Sequence, residues 1–559
     1  MSFTIAHSRS RALDYLALTH PLAQRLDLIS IFNHYCRLAA QAENDNGIIL
    51  TAMTQARLAP SPVPLLHMPA WAESYAIAEL YGCAAAAFND DACGRALDAF
   101  YPVMTQVWVE VLQRVRAEFG LDLTVVHTDV TLMQVEGQYD SQTDAPAPTQ
   151  EPAQPCYGRT PKGFDSRRKQ VGLSLSVTAQ DIPCWWLAHD GNVSDPQVYE
   201  QHLFALRAFF KQMHPIMVGD SKLPTAANRL AFNRAGAFYV GPAGLRPEDT
   251  QTLRSLWASG VACQRLDRPG QDDRDVPPFW GVDALGESSD PEMPARRYIE
   301  RTVFVFSHEE RRTVRHARAK ALWKARAAVR HLQRQLNRGR YRTRDYILHR
   351  LAQGIEPVAA FMTYQLEEEV DQAGKPHFRL RWGLNHEALQ DAAEFDGWYR
   401  LLTNLPQADY PMSAVLGLYK GQSHVEGAFK QIKHWPIQVS PLWLHQMTRI
   451  EALLGLTAIA LLLTAVLAHQ LRQAIAQEPT PPKGLQPEGR DHLPLTARRL
   501  WQIMVGVRLM AITLQAADGT IGQVIAVDTL TPAQETVLRL LGWPRPSEYL
   551  PTGLKHMLL

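Results

Sequence analysis

The sequence predicts an α/β protein: a mixed sheet flanked by helices, preceded by a helical domain and interrupted by a long insertion. Three observations lead there. LTVVHTDVTLM and PIMVGDSKL are apolar, β-branched runs that read as buried strands. Between them lie further strand-like runs and a helix-length segment, VYEQHLFALRAFFKQM, an alternation that fits a mixed sheet with helices on its faces. At 559 residues, 46% hydrophobic and 20% charged, the chain has material for more than one domain.

Residues 1–118 read as mostly helical, from the apolar spacing of LAQRLDLISIFNHYCRLAA and VMTQVWVEVLQRVRAEF. The Pro-rich LAPSPVPLLHMP divides them, and Asp90 or Asp91 is placed to cap the helix that follows. The sheet occupies residues 119–240. Asp129 lies within its first strand, and residues 140–155 are Pro-rich and poor in apolar side chains, which predicts a loop. Strands follow near 172–178 and 182–188, with AHDGN as a turn signal, and Asp220 ends a short strand after the helix.

Residues 241–410 form the insertion. RPGQDDRDVPPFWGVDALGESSDPEMP reads as a loop, and the most basic stretch of the chain follows. From Arg311 to Arg350 there are fourteen Arg or Lys against one acid, Asp345. Arg326, Arg330, Arg334 and Arg338 recur every fourth residue and so align along one side of a helix, opposite Leu322, Val329, Leu332 and Leu336. Like charges at that spacing oppose a helix unless a polyanion answers them, and this stretch is read as contacting DNA backbone. The net charge of +1 hides this asymmetry.

Residues 411–475 carry LYKGQSHVEGAFKQIKHW, read as one helix. Tyr419, Gln422, Glu426 and Lys433 sit at offsets of 0, 3, 7 and 14, which at about 100° per residue share a narrow polar stripe. A phosphate-bearing partner is the economical occupant of such a face. The apolar segment 453–469 approaches the length of a membrane span, but its position behind that helix favours a buried core helix. Residues 476–494 read as a linker. Residues 495–559 read as a small appendage, with TPAQETVLRLLGWP as its clearest helix. Six cysteines without C-x-x-C spacing speak against a zinc or disulfide framework and for a reducing cytoplasm, and no secretory leader pattern opens the chain.

An acidic residue in or just after a core strand is costly unless it meets a cation or a donor. Two such aspartates and one helical glutamate form a hard-oxygen set suited to Mg²⁺ or Mn²⁺. Here the chain resembles a large group of bacterial insertion-sequence transposases. Their signature is Asp…Asp…Glu, with the Glu inside Tyr-x2-Arg-x3-Glu-x6-Lys. This sequence reads Tyr419-x2-Gln422-x3-Glu426-x6-Lys433, with Gln in place of Arg. VVHTDVT, KQVGLSLSVT, IPCWWLAHDGNVSD, MVGDSKL and FDGWYRLLTN support it in order, and the resemblance covers most of residues 10–545.

The resemblance implies a ribonuclease H-like core in which Asp129, Asp220 and Glu426 are catalytic and hold two Mg²⁺ (or Mn²⁺) ions. Tyr419, Lys433 and the departing Gln422 would contact DNA phosphates. It further implies cleavage at transposon ends and transfer of the freed 3′-hydroxyl into target double-stranded DNA, by a homodimer acting in the cytoplasm without a membrane. The helical N-terminal domain would bind the ends. The alternatives are a catalytically silent DNA-binding descendant or a ribonuclease H-like nuclease without strand transfer.

Overall fold

A computed structural model describes residues 3–37, 45–135, 151–158, 165–192, 196–210, 214–267, 279–370, 374–433, 444–489, 495–516, 521–550 and 553–557. The chain divides into two compact units, Met1–Phe238 with Lys420–Leu559, and Tyr239–Tyr419. Of the Pro-rich loop expected at 140–155, residues 140–150 lie outside the described residues.

The first unit opens on a strand the sequence reading did not anticipate, β1 (Phe3–Ala12). Helices Leu16–Arg25, Leu28–Tyr35, Asn46–Ala56, Asp90–Phe100 and Met104–Phe119 then build the expected helical region. The cap of Asp90–Phe100 differs from expectation. Asn89 supplies it, its side-chain oxygen accepting from Ala92 N at 2.9 Å, while Asp90 and Asp91 fall in the first turn. There their charges still favour the helix N-terminus.

The core sheet of this unit is made of β2 (Val125–Gln134), β3 (Gln170–Thr178), β4 (Pro183–Asp190) and β5 (Ile216–Val218). β2, β3 and β4 pair antiparallel in sequence order. Helix Pro196–Phe209 then returns the chain to β5, which lies parallel to β2 on its other edge. Three antiparallel strands, a helix, and a fourth strand parallel to the first make the ribonuclease H-like mixed sheet. β3 is buried at every position, and its small polar residues are satisfied internally. Thr128 and Ser176 share a 2.6 Å hydrogen bond, Ser176 reaches His202 Nδ1 at 2.7 Å, and Ser174 joins His202 Nε2 at 2.7 Å and His189 Nε2 at 2.6 Å. The β3–β4 turn lies at 179–182, and the Asp-Gly turn signal falls where β4 ends, at Asp190.

Helix Met447–Gln477 is long and apolar enough to cross a membrane, yet 94% of its most apolar window is buried inside the protein. It packs against Asn46–Ala56, Asp90–Phe100, Met104–Phe119 and β4, as a core helix does. Gly455 permits the closest approach, since a Cβ there would stand 3.0 Å from the Trp186 ring.

The second unit holds β6 (Phe238–Ala243), β7 (Gln264–Leu266), β8 (Phe279–Ser289), β9 (Arg297–Phe306), the hairpin β10 (Met362–Val370) and β11 (Pro376–Leu384), and β12 (Trp398–Thr403). β12 pairs antiparallel with both β6 and β9, and β8 with β7 and β9. Of the expected Pro/Asp/Gly-rich loop, Phe279–Ser289 is strand β8, in which Val282 buries against Leu253 and Phe304 despite the neighbouring Gly281; residues 268–278 lie outside the described residues. The basic stretch forms helices His308–Gln335 and Arg344–Ile355. Ala325, Val329 and Leu332 pack on Ile347, Leu351 and the β10–β11 hairpin.

The remainder of the first unit ends in β13 (Arg508–Ala516), β14 (Ile521–Val527) and β15 (Gly553–Met557), which form an antiparallel sheet in the order β1, β13, β14, β15. Helix Pro532–Leu541 lies where TPAQETVLRLLGWP predicts it and starts with a Thr531–Gln534 capping box.

Candidate active site

β-Strand register brings the two aspartates together. Val125, Val126 and His127 face Ile216, Met217 and Val218 in the parallel β2–β5 pair. Carrying the same offset two residues further sets Asp220 alongside Asp129. Asp220 lies two residues past the end of β5, near enough that its charge acts on the Asp129 carboxyl. Gly219 lets the chain turn off β5 there, since a Cβ on it would meet the Tyr199 ring at 2.5 Å.

Asp220 is held from several sides. Tyr199 Oη donates to its Oδ1 at 2.8 Å, and Lys222 N donates to the same oxygen at 2.9 Å. Burial first, and then the negative Asp220, push the Tyr199 phenol far above its ordinary value, so it is a fixed donor. Asp129 takes one backbone hydrogen bond, from Val130 N at 2.7 Å. Burial pushes its carboxyl up to about 6, the Val130 hydrogen bond and Lys222 oppose that, and both Asp220 and Glu426 add to it. Three carboxylates therefore share one electrostatic neighbourhood.

Glu426 stands on helix Ser423–Lys433, which packs on β2 and β3, and its side chain is exposed. The single helix expected from LYKGQSHVEGAFKQIKHW is two helices. Met412–Lys420 ends before Gly421 and Gln422, and His424 N bonds Gly421 O at 2.9 Å as the next begins. Glycine is a poor helix former, and the break is placed on it. The four-residue polar stripe is thus not one helical face. Tyr419 closes the second unit, where its ring lies 6.2 Å from that of Tyr399. Gln422 points inward: its Nε2 donates to Thr128 O at 3.2 Å, and its Oε1 is buried. Lys433 is the last residue of the helix, and its side chain lies outside the described ones.

Beside Gln422, burial first and then the nearby His424 hold buried His127 down to about 4, against the pull of Gln422 and Asp181. The sequence reading missed Tyr199, Lys222, His424 and Asp181. The signals available for them were slight: a tyrosine early in the crossover helix, the lysine of GDSK, and a histidine two residues before Glu426.

Among the described residues, no three His, Cys, Asp or Glu side chains close into a ready-made metal shell. The donors are nonetheless right in kind for a hard divalent cation. All three supply oxygen, and mutual repulsion at Asp129 is what a bound cation relieves.

Of the four arginines that recur every fourth residue, Arg326, Arg330 and Arg334 lie exposed on His308–Gln335. Arg338 does not belong to that row. The helix stops at Gln335, Leu336 is extended and Asn337 adopts φ 65°, because Leu336 turns back toward the hairpin core. Toward the other end, Arg315 and Arg318 both grip the buried carboxylate of Asp396, so they anchor the helix. Arg326, Arg330, Arg334 and Arg338 form no ion pair among the described residues.

Residues 8–112 match a family described as a domain of unknown function, DUF4277. No curated protein sequence matches the chain. Among solved structures, the chain is similar to the piggyBac transposase synaptic complex with hairpin DNA, at 8% identity over 89% of this chain and 82% of that one, with a TM-score of 0.37. A Mos1 transposase paired-end complex with the left transposon end aligns at 14% identity over 29% of this chain and 52% of that one, with a TM-score of 0.14. The Mos1 strand transfer complex aligns at 15% identity over 34% and 61%, also with a TM-score of 0.14. Likenesses this distant leave the chemistry to be read from the residues themselves.

Proposed function

We propose that the protein is a DNA transposase of an insertion sequence. It would hydrolyse a phosphodiester at each transposon end and then direct the freed 3′-hydroxyl into target double-stranded DNA. The observation that carries this reading is the placement of three carboxylates: half-buried Asp129 on β2, Asp220 just past the end of β5, the strand paired to it, and Glu426 on the helix packed on β2 and β3. Two Mg²⁺ or Mn²⁺ ions held by Asp129, Asp220 and Glu426 would supply Lewis-acid activation of the attacking oxygen and charge stabilisation of the leaving oxygen. Asp220 is fixed in orientation by Tyr199 and Lys222 N, whereas Glu426 stands exposed on its helix. Arg326, Arg330 and Arg334 would track the DNA backbone, with Tyr419 and Lys433 as further phosphate contacts and Arg338 beyond the helix end. Because two ends are joined, a homodimer on paired ends is the expected assembly.

Strand cleavage tests this on DNA carrying the inverted repeats that flank the gene, with Mg²⁺ or Mn²⁺. The intact chain should nick at the repeat boundary, and Asp129→Ala should cut at least about 100-fold more slowly, the scale on which one preorganised electrostatic contact is lost. Products joined to a target plasmid separate a transposase from a simple nuclease. Equal inactivity of both proteins, with DNA binding intact, would overturn the enzymatic reading.

A further inference from the structure

The start of the Glu426 helix is held by a contact outside the carboxylate set. In the β3–β4 turn, Asp181 occupies the left-handed region at φ 66°, a conformation aspartate tolerates better than most residues. Thr178 O accepts from Asp181 N at 3.1 Å, and Thr178 Oγ1 accepts from Gln180 N at 3.2 Å and Ile182 N at 3.3 Å. So placed, the Asp181 carboxylate accepts from His424 Nδ1 at 2.5 Å through Oδ1 and from Arg472 at 2.8 Å through Oδ2. Arg472 comes from the buried core helix Met447–Gln477, and His424 stands two residues before Glu426. One carboxylate therefore joins a turn of the sheet, the core helix and the helix that carries Glu426.

We propose that Asp181, His424 and Arg472 are positioning residues that set where Glu426 stands against β2, and through it the affinity of the site for a divalent cation. This rests on the metal-site reading above. The alternative is a surface ion pair serving general stability. Side-chain exposures of 42% for Asp181 and 31% for both His424 and Arg472 weigh against it, because pairs this open to water add little to folding. Gln422 strengthens the positioning role. It bonds the Thr128 carbonyl, next to Asp129, from the residue that precedes the same helix. Partners that orient metal-binding side chains typically alter cation affinity 10–100-fold when removed.

The test is Mn²⁺ binding by the full chain, followed from the electron paramagnetic resonance of free Mn²⁺, alongside thermal melting. Asp129→Ala should abolish the site. His424→Ala and Asp181→Asn should each weaken Mn²⁺ binding about tenfold or more, with little change in melting temperature. His424→Asn, whose amide nitrogen falls near the place of Nδ1, should restore most of the affinity. His424→Ala and Asp181→Asn proteins that bind Mn²⁺ as tightly as wild type, while Asp129→Ala binds none, would overturn the inference. Equal Mn²⁺ binding by wild type and Asp129→Ala would remove the metal-site reading itself, and this inference with it.

Discussion

Asp129 sits where a carboxylate is least comfortable: inside a strand, with a second aspartate one strand away and a glutamate on the helix above. Its folded pKa of about 6 exceeds the ordinary 3.8, so the ionised form is disfavoured by folding. Stability is then fully present at pH below 3.8 and is lost as pH rises through about 6. Asp129→Asn should therefore stabilise the cation-free protein at pH 7.5 by about 1–2 kcal/mol, measured by urea denaturation, even as it removes the proposed cleavage. A destabilised variant would mean that the repulsion is already relieved in the cation-free fold. Asp129 and Asp220 were legible in the sequence because an acid inside or just after an apolar strand stands out against its neighbours. His424 and Asp181 were not, because their pairing depends on a turn and a helix separated by more than two hundred residues of chain.

The basic helix shows how far a periodic pattern carries. Spacing alone identified an arginine row opposite Leu322, Val329 and Leu332, and the helix presents Arg326, Arg330 and Arg334 exposed as that spacing requires. Periodicity could not place the helix end, which is decided by Leu336 packing into the hairpin core, so Arg338 was carried one turn too far. Arg326→Ala, Arg330→Ala and Arg334→Ala together should lower the slope of log affinity against log salt by about 3 on duplex DNA, since each neutralised phosphate contributes roughly 0.9. Melting should hardly change, because these side chains are exposed and form no ion pair among the described residues. A slope unchanged by the triple variant would remove this helix from the proposed DNA interface. The polar stripe around Glu426 failed differently: Gly421 breaks the helix that the spacing assumed.

Across the whole molecule, buried histidines set the acid limit. Burial holds His20 and His189 down to about 4 and His202 well below its ordinary value. Each is neutral in the fold and takes up a proton more readily when unfolded. Their contribution is therefore complete above about pH 6.5 and is lost as pH falls toward 4, at roughly 3 kcal/mol for each of His20 and His189. Asp14, Asp129 and Glu451, whose carboxyls burial raises, move the opposite way and offset part of the loss. The melting temperature should fall steadily from pH 6.5 to 4. A flat profile would mean that these rings find partners that accept the charge. The same scale holds what no local reading reached: β1 pairs with β13, about 500 residues away, where local propensity gives no sign of a partner.

By itself the sequence determined the alternation of strands and helices, the burial of the 453–469 segment, the acidic positions at Asp129, Asp220 and Glu426, and the one-sided charge of the insertion. Each is written in residues close together, where periodicity and the cost of burying charge act locally. The tertiary structure decided which of these groups meet. The register of β2 on β5 sets Asp220 beside Asp129, the break at Gly421 turns Gln422 inward and leaves Glu426 exposed, and the β3–β4 turn brings Asp181 to His424. Such meetings are made by packing between distant segments, and spacing along the chain does not encode them.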